Sequence, residues 1–358
     1  MRLSLFQQYL KKEKIDLAFF YYSHDDSQDS NVVYFAGMKP SHALFVVQHS
    51  TARLYLTALD KKPTIAGVTV KTLTKQWRED VPRKVKRVGI VKSALTYEWG
   101  EKLTKMWPLC EFVDVGPFLG SLRVKKDRKE IDTIAKACQI SVNAFEELMR
   151  ELPRGTLQTE QDVALFLERS MKLQGGGVAF PTIAAMGKNA AVPHHVTSLQ
   201  QLSRGFLLLD FGASFQNYCS DMSRTIYLGT PTTEEKEMYN LVRRSQEAAR
   251  RVTKSGKQYF ELDVETRRVL GKKSKYYIHA LGHGVGIDVH EEPSFGKEKP
   301  WMIGKNHIFT LEPGVYFPGK YGIRIEDTLW WDGVEAKVLT PATKELITLS
   351  LPRVIKNI

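Results

Sequence analysis

Three histidines lie within the stretch His279-Ala-Leu-Gly-His283-Gly-Val-Gly-Ile-Asp-Val-His290-Glu-Glu-Pro293. Two of them, His279 and His283, stand four residues apart, the interval of a helical zinc-binding pair. The helical motif needs a glutamate directly after its first histidine, and Ala280 occupies that position. Three glycines and an alternating Val/Ile/Val run follow, so the stretch reads as a glycine-rich turn feeding a strand. A metal held here must draw most of its ligands from elsewhere in the chain.

Two further stretches offer carboxylates. Phe206–Leu228 holds two apolar runs around turn-forming residues at Ser214 to Asn217. Folded as a hairpin centred between Phe215 and Gln216, it sets Asp210 directly opposite Asp221. Ile308–Trp330 turns at Pro318-Gly319-Lys320, and centred on Gly319 it sets Glu312 opposite Glu326. Like charges face to face destabilise a sheet, the more so among Leu, Phe and Ile. One such pair is accounted for by chance or by a shared proton; two with the same geometry argue for bound cations. Four carboxylates carry a formal charge that two divalent ions would neutralise. With one imidazole added, an oxygen-dominated ligand set favours Mn²⁺, Co²⁺ or Fe²⁺, with Zn²⁺ also within range. Two metals about 3.5–4 Å apart are the usual means of activating a bridging water.

The elements that must position these residues are also legible. Alternating short apolar runs and helical pieces from Ile15 to about Val115 suit a small α/β domain. At Asp127-Arg-Lys-Glu130 the character changes to a capping box. Behind it Ile131, Ala135, Cys138, Val142, Phe145, Met149 and Leu152 mark an amphipathic helix, with Cys138 a packed thiol on its apolar stripe. A second helix is expected from Thr159 to the glycines at 175–177, and a third from Thr232 towards Gly256. The domain boundary falls near residue 125.

Composition narrows the classes. The 358 residues are 42% hydrophobic and 26% charged, ordinary for an enzyme of two domains. No apolar run approaches the roughly 18 residues that span a bilayer. The N-terminus lacks a secretory h-region, and Cys110, Cys138 and Cys219 show no metal-ligand spacing, so a cytoplasmic location is expected. Of the net charge of +12, residues 1–125 carry 20 Lys and Arg against 12 Asp and Glu. A cluster at Arg83–Arg87 without interleaved aromatics reads as a solvated surface rather than a nucleic-acid site.

The motifs LLDFGA, SDMSRT, HALGHGVGIDVHE, FTLEPGVY and GIRIEDT, in that order, make residues 123–348 resemble the pita-bread metallopeptidases, the family of prolidase, aminopeptidase P and methionine aminopeptidase. Residues 1–122 resemble the creatinase-type N-terminal domain. The resemblance implies an α/β fold in two parts: a creatinase-like α/β domain over 1–125, then an α+β pita-bread domain over 126–358. The second is pseudo-two-fold, with a curved antiparallel sheet and helices.

It further implies metal ligands Asp210, Asp221, His283, Glu312 and Glu326, with glycines beside His283 letting the backbone approach the ion. His290 resembles the histidine that contacts substrate and stabilises the tetrahedral intermediate, and His194, in FPTIAAMGKNAAVPHHV, resembles a substrate-side histidine. Arg324 resembles the arginine that holds the carboxylates and touches substrate, and Glu312 the general base. His279 is either a residue behind the ligands or a buried hydrogen-bonded histidine; His195 and His307 are given no catalytic role.

The implied activity is hydrolysis of the N-terminal Xaa-Pro bond of short proline-containing peptides by a homodimer, with two divalent ions. Many short prolidases carry an arginine just after the His-Glu-x-Pro run, where this chain has Ser294. That departure weakens the dipeptidase reading, although Lys297 or Arg324 could hold a substrate carboxylate. The alternative from another class is a catalytically silent scaffold that binds protein or nucleic acid through the basic N-terminal domain. The filled ligand positions argue against it.

Overall fold

The apolar runs of the N-terminal part each become a strand of one sheet. In the computed structural model, which describes residues 2–297 and 300–350, the chain divides into two units, Met1–Arg123 and Val124–Ile358. Residues 351–358, assigned above to the second domain, lie outside the described residues. In the first unit the strands are β1 (Leu17–Ser23), β2 (Ser27–Gln28), β3 (His42–Gln48), β4 (Ala52–Leu56), β5 (Thr69–Thr72), β6 (Arg87–Ile90) and β7 (Glu111–Asp114), in the order β5-β4-β3-β1-β6-β7 with β2 on the end of β1. Helices α1 (Arg2–Lys12), α2 (Ser30–Ala36), α3 (Tyr97–Met106) and α4 (Gly116–Val124) accompany them. Phe19, Trp77, Leu103 and Trp107 centre one core. Arg83, Lys84 and Lys86 are exposed, as a solvated basic surface would be.

In the second unit the capping box at Asp127 forms. The Asp127 carboxylate accepts from Glu130 N–H, the Glu130 carboxylate accepts from Asp127 N–H, and α5 runs Arg128–Glu151. Ile131, Cys138, Val142 and Phe145 are buried along its stripe, each such apolar side chain contributing about 1.5–3 kcal/mol. The second box, Thr159 with Asp162, starts α6 (Glu160–Leu173), and Thr232 with Glu235 starts α7 (Thr233–Val252). One helix was not anticipated: α8 (Tyr259–Leu270), which buries Tyr259, Leu262, Thr266 and Leu270 and is capped by Gln258 and Glu261.

Two sheets carry the site. The first has β9 (Ile183–Met186), β10 (Gly205–Phe211), β13 (Met222–Leu228) and β21 (Thr348–Leu349), in the order β21-β13-β10-β9. The second has β14 (His283–Gly284), β15 (Glu291–Ser294), β16 (His307–Leu311), β19 (Asp327–Trp331) and β20 (Ala336–Val338), in the order β15-β14-β16-β19-β20. The hairpin β17 (Gly314–Phe317) and β18 (Tyr321–Arg324) extends the second. A small sheet of β8 (Gly177–Val178), β11 (Ala213–Phe215) and β12 (Tyr218–Cys219) extends the first. Helices α5 and α6 share one apolar core with β10 and β13, while α7 and α8 share another with β16 and β19. Each half thus follows the same plan, two helices and then a carboxylate-bearing hairpin.

The two hairpin registers came out differently. In the second, Leu311 pairs with Asp327 and Gly314 with Arg324, so Glu312 and Glu326 stand at the same level, as the turn at Gly319 predicts. In the first, Asp210 pairs with Ser223, not Asp221. The turn is centred between Gln216 and Asn217, both at positive φ (46° and 72°), one residue later than the sequence suggested. A two-residue turn that follows the sheet twist needs positive φ at both central positions, which Asn tolerates and Phe215 does not. The shift moves each partner by two residues, which keeps it on the same face. Asp210 and Asp221 therefore meet diagonally.

Candidate metal centre and active site

All eight residues singled out from sequence line one cavity of about 440 Å³: Asp210, Asp221, His283, Glu312, Glu326, His194, His290 and Arg324. Asp210 is the penultimate residue of β10, Asp221 precedes β13, His283 opens β14, and Glu312 and Glu326 flank the β17–β18 hairpin. Ligand atoms of Asp210, Asp221 and Glu326 lie within 4.8 Å of one another, as do those of His283, Glu312 and Glu326.

One oxygen of each of three carboxylates, Asp210 Oδ1, Asp221 Oδ1 and Glu326 Oε1, is buried with no hydrogen-bond partner. A buried acceptor left unmatched costs about 1–3 kcal/mol, more when charged. Three such atoms, on carboxylates that can bring ligand oxygens within 4.8 Å of one another, fit a cation, and the oxygen-rich donor set with one imidazole fits a hard divalent one.

Electrostatics point the same way. Burial pushes Asp221 well above the usual carboxylate range, and the charges of Glu326, Asp210 and Glu312 add to it. Glu326 is raised by burial and then by Glu312 and Asp210. Burial also acts to raise Glu312, but the hydrogen bond and charge of His283 outweigh it and hold Glu312 low. Burial would lower His283, yet Glu312 wins and pulls it up. The His283 Nδ1 faces Gly284 O at 3.1 Å, and its Nε2 faces Glu312 Oε1 and Asp221 Oδ2 at 3.4 and 3.5 Å. The site demands positive charge at that nitrogen, a demand that a divalent cation held there would meet.

The glycines around His283 admit neighbouring backbone. A Cβ on Gly282 would lie 2.2 Å from Thr310 O, and one on Gly284 would lie 2.2 Å from Glu292 O. They let two neighbouring backbones close on the His283 main chain from either side.

A hydrogen-bonded frame runs beneath the carboxylates. Buried Arg324 donates from Nη2 to Asp210 Oδ2 (2.5 Å), from Nε to Ser223 Oγ (2.9 Å), and from Nη1 to Tyr316 Oη (2.8 Å) and Pro193 O (3.4 Å). Ser223 Oγ donates onward to Glu326 Oε2 at 2.7 Å. A guanidinium can only donate, so Tyr316 must pass its proton towards His279 Nε2 at 2.9 Å. That leaves the His279 Nδ1–H to donate to Ala280 O at 2.8 Å. Burial lowers the His279 pKa, consistent with a neutral ring. Of the three histidines in the opening stretch, His279 is therefore half-buried and held by hydrogen bonds, its Nδ1 4.0 Å from Glu312 Oε2. His283 points into the carboxylates, and His290 stands at the cavity wall with its ring 4.1 Å from that of His283.

Sequence reasoning missed Tyr316, Ser223 and Glu291. Ser223 could have been found from the hairpin, since it is the residue across from Asp210 once the turn is placed correctly. Tyr316 lies four residues after Glu312 in a strand-like run, with nothing local to mark it. Glu291 forms a buried ion pair with Lys126 (2.7 Å) directly beside His290, 165 residues apart in sequence. Ser294 stands across the β14–β15 pair from His283.

A pita-bread-type α+β unit with a buried carboxylate–histidine cluster defines a metallohydrolase architecture. Residues 132–331 match the Metallopeptidase family M24, and residues 2–125 match the Creatinase/Prolidase N-terminal domain. The chain is 34% identical over 331 residues to the Xaa-Pro dipeptidase of Pyrococcus horikoshii, covering 90% of this chain and 93% of that protein. It is 31% identical to the Xaa-Pro dipeptidase of Lactobacillus delbrueckii over 98% of this chain and 99% of that one. The crystal structure of the Pyrococcus horikoshii prolidase superposes with a TM-score of 0.88 at 32% identity, over 97% of this chain and 99% of that one. The X-Pro aminopeptidase of Thermotoga maritima superposes at 0.82 with 28% identity, over 94% and 98%. This chain belongs to metallopeptidase family M24. Among the described residues no helix is long and apolar enough to cross a membrane.

Proposed function

We propose that the protein hydrolyses the bond between an N-terminal residue and a following proline in short peptides. Two divalent cations, Mn²⁺ or Co²⁺ ahead of Zn²⁺ or Fe²⁺, would be held by Asp210, Asp221, His283, Glu312 and Glu326. The observation that carries this reading is the set of three unpartnered buried carboxylate oxygens on residues that line one cavity with His194 and His290. When bound, such cations lower the pKa of water and polarise a scissile carbonyl.

The chain's own residues supply the rest. Glu312, kept ionised by His283, takes the proton of the attacking water and returns it to the leaving nitrogen. His290 and His194, on separate segments of the cavity wall, donate to the developing oxyanion. Phe180, Pro181, Ile183 and Val289 give the cavity an apolar side that suits a proline ring. Arg324 already engages Asp210, Ser223, Tyr316 and the Pro193 carbonyl, so its first task is to hold the frame, with any contact to substrate made from its remaining N–H. The division of the chain at residue 125, a cytoplasmic location and a homodimer complete the proposal.

The test strips the protein with a chelator, restores Mn²⁺, Co²⁺ or Zn²⁺, and offers Ala-Pro beside Ala-Pro-Ala, with products read by mass spectrometry. Cleavage of the dipeptide alone makes it a dipeptidase in which some group other than residue 294 holds the carboxylate. Preference for the tripeptide makes it an aminopeptidase, with Ser294 the reason. Glu312→Gln abolishes turnover while the fold persists; retained turnover, or no cleavage by the unsubstituted protein with any metal, sinks the reading.

A further inference from the structure

Glu160, the first residue of α6, is fully buried and accepts five hydrogen bonds. Its Oε1 takes Met186 N–H (2.7 Å) and Asn189 Nδ2 (2.9 Å); its Oε2 takes Ser198 Oγ (2.7 Å), Ser198 N–H (3.1 Å) and His195 Nε2 (3.0 Å). All five donors come from residues 186–198. After a 3-10 turn at Gly187–Ala191 this segment runs without helix or strand to β10. Between the donors Asn189 and His195 stand Pro193, whose carbonyl meets Arg324, and His194, which lines the cavity.

We propose that Glu160 is a positioning residue for the reaction: it ties down the 186–198 segment on both sides of His194, with His195 as the adjoining anchor, so that His194 faces the substrate. The inference rests on the reading of His194 given above. It gives His195, which the sequence left without a role, a definite one. A loop of this length has no ladder to fix it, so its conformation depends on side-chain contacts to its backbone. Two of the five donors are backbone N–H groups that cannot reverse polarity. A carboxylate satisfies both edges of the cluster, whereas an amide presents one acceptor and one donor. Burial acts to raise the Glu160 pKa, and the donors outweigh it to hold the group ionised.

The experiment is a double-mutant cycle on the metal-loaded enzyme with Glu160→Gln, His194→Ala and the pair. Glu160→Gln is expected to lower kcat/KM by about 10- to 100-fold through misplacement of His194. In the His194→Ala background the same change should have almost no further effect. Equal losses in both backgrounds mean a merely structural carboxylate and overturn the proposal. Ser198→Ala, which removes a single donor, enters the same cycle with a smaller expected loss should Glu160→Gln fail to fold. Hydrogen exchange supplies a readout independent of turnover. Faster exchange confined to 186–199 in the variant supports the anchor, and unchanged exchange refutes it. Absence of turnover in the unsubstituted protein defeats the peptidase reading instead and leaves the exchange result to decide the anchor by itself.

Discussion

Ser223→Ala probes the frame beneath the carboxylates at its junction. The Ser223 hydroxyl is inaccessible to solvent, accepts from Arg324 Nε at 2.9 Å and donates to Glu326 Oε2 at 2.7 Å. Removing it strands one donor of a buried cation and one acceptor of a buried carboxylate. The space left by a hydroxyl is too small to admit a water that could replace both bonds. At about 1.5–3 kcal/mol for each hydrogen bond to a charged group, the loss is about 3–6 kcal/mol. For a unit of this size each kcal/mol moves the melting temperature by roughly 2–4 °C, so a drop of roughly 6–24 °C is expected. Differential scanning calorimetry on the chelator-treated protein measures it. Ser245→Ala is the control: that serine is equally buried, but it donates at 2.7 Å only to Val242 O of its own helix. Its loss should cost no more than about 1 kcal/mol. Equal shifts for the two alanine variants would show that Ser223 does not brace the carboxylates.

Metal removal should act on the catalytic unit in particular. At a metal concentration about a thousandfold above Kd each bound ion adds about 4 kcal/mol, so loss of even one lowers the melting of this unit by roughly 8–16 °C and replenishment restores it. A thermogram indifferent to chelation and reloading would count against a metal centre. A pH effect arises at His307, which meets Tyr259 Oη at 3.0 Å; burial, then the charges of Lys126 and Lys125, push its pKa down to about 4. The ring is neutral in the fold and titrates near 6.5 when unfolded. Stability is therefore full above pH 6.5 and lost as pH falls towards 4, by up to about 3 kcal/mol. Urea unfolding of His307→Gln between pH 4.5 and 7 should show a flatter pH dependence than the unsubstituted protein, and an unchanged slope refutes the assignment.

Local rules made much of this molecule legible. The three capping boxes at Asp127, Thr159 and Thr232 formed as their spacing indicates, because a cap is satisfied within four residues of itself. The Glu312–Glu326 level could be read because Gly319 dictates the turn. The Asp210 register could not be, because Gln216 and Asn217 adopt positive φ without a glycine to announce it. The carboxylate cluster was nonetheless found, since a two-residue slip leaves side chains on their original face. Contacts that close only in three dimensions stayed hidden. Tyr316 joins Arg324 to His279 across two elements, and Glu160 meets donors 26 to 38 residues away. No period or motif encodes such a meeting. Helix α8 was overlooked for a simpler reason: a glutamine cap is a weak signal beside Ser, Thr or Asp.

The stitching between the two hairpins has a consequence during synthesis. Ser223 binds Glu326 across 103 residues, Arg224 binds Asp327 across 103, and Thr328 binds the Asp221 carbonyl across 107. At roughly 5–20 residues per second, the ribosome delivers the second hairpin about 5–20 seconds after the first. For that interval the strand pair carrying Asp210 and Asp221 has emerged without Ser223's carboxylate partner and, until close to its end, without Arg324. The nascent half-site carries negative charge among Leu and Phe and cannot yet close. Completion of the centre is thus a late event set by chain length, and a polypeptide released before Glu326 cannot hold its carboxylates together.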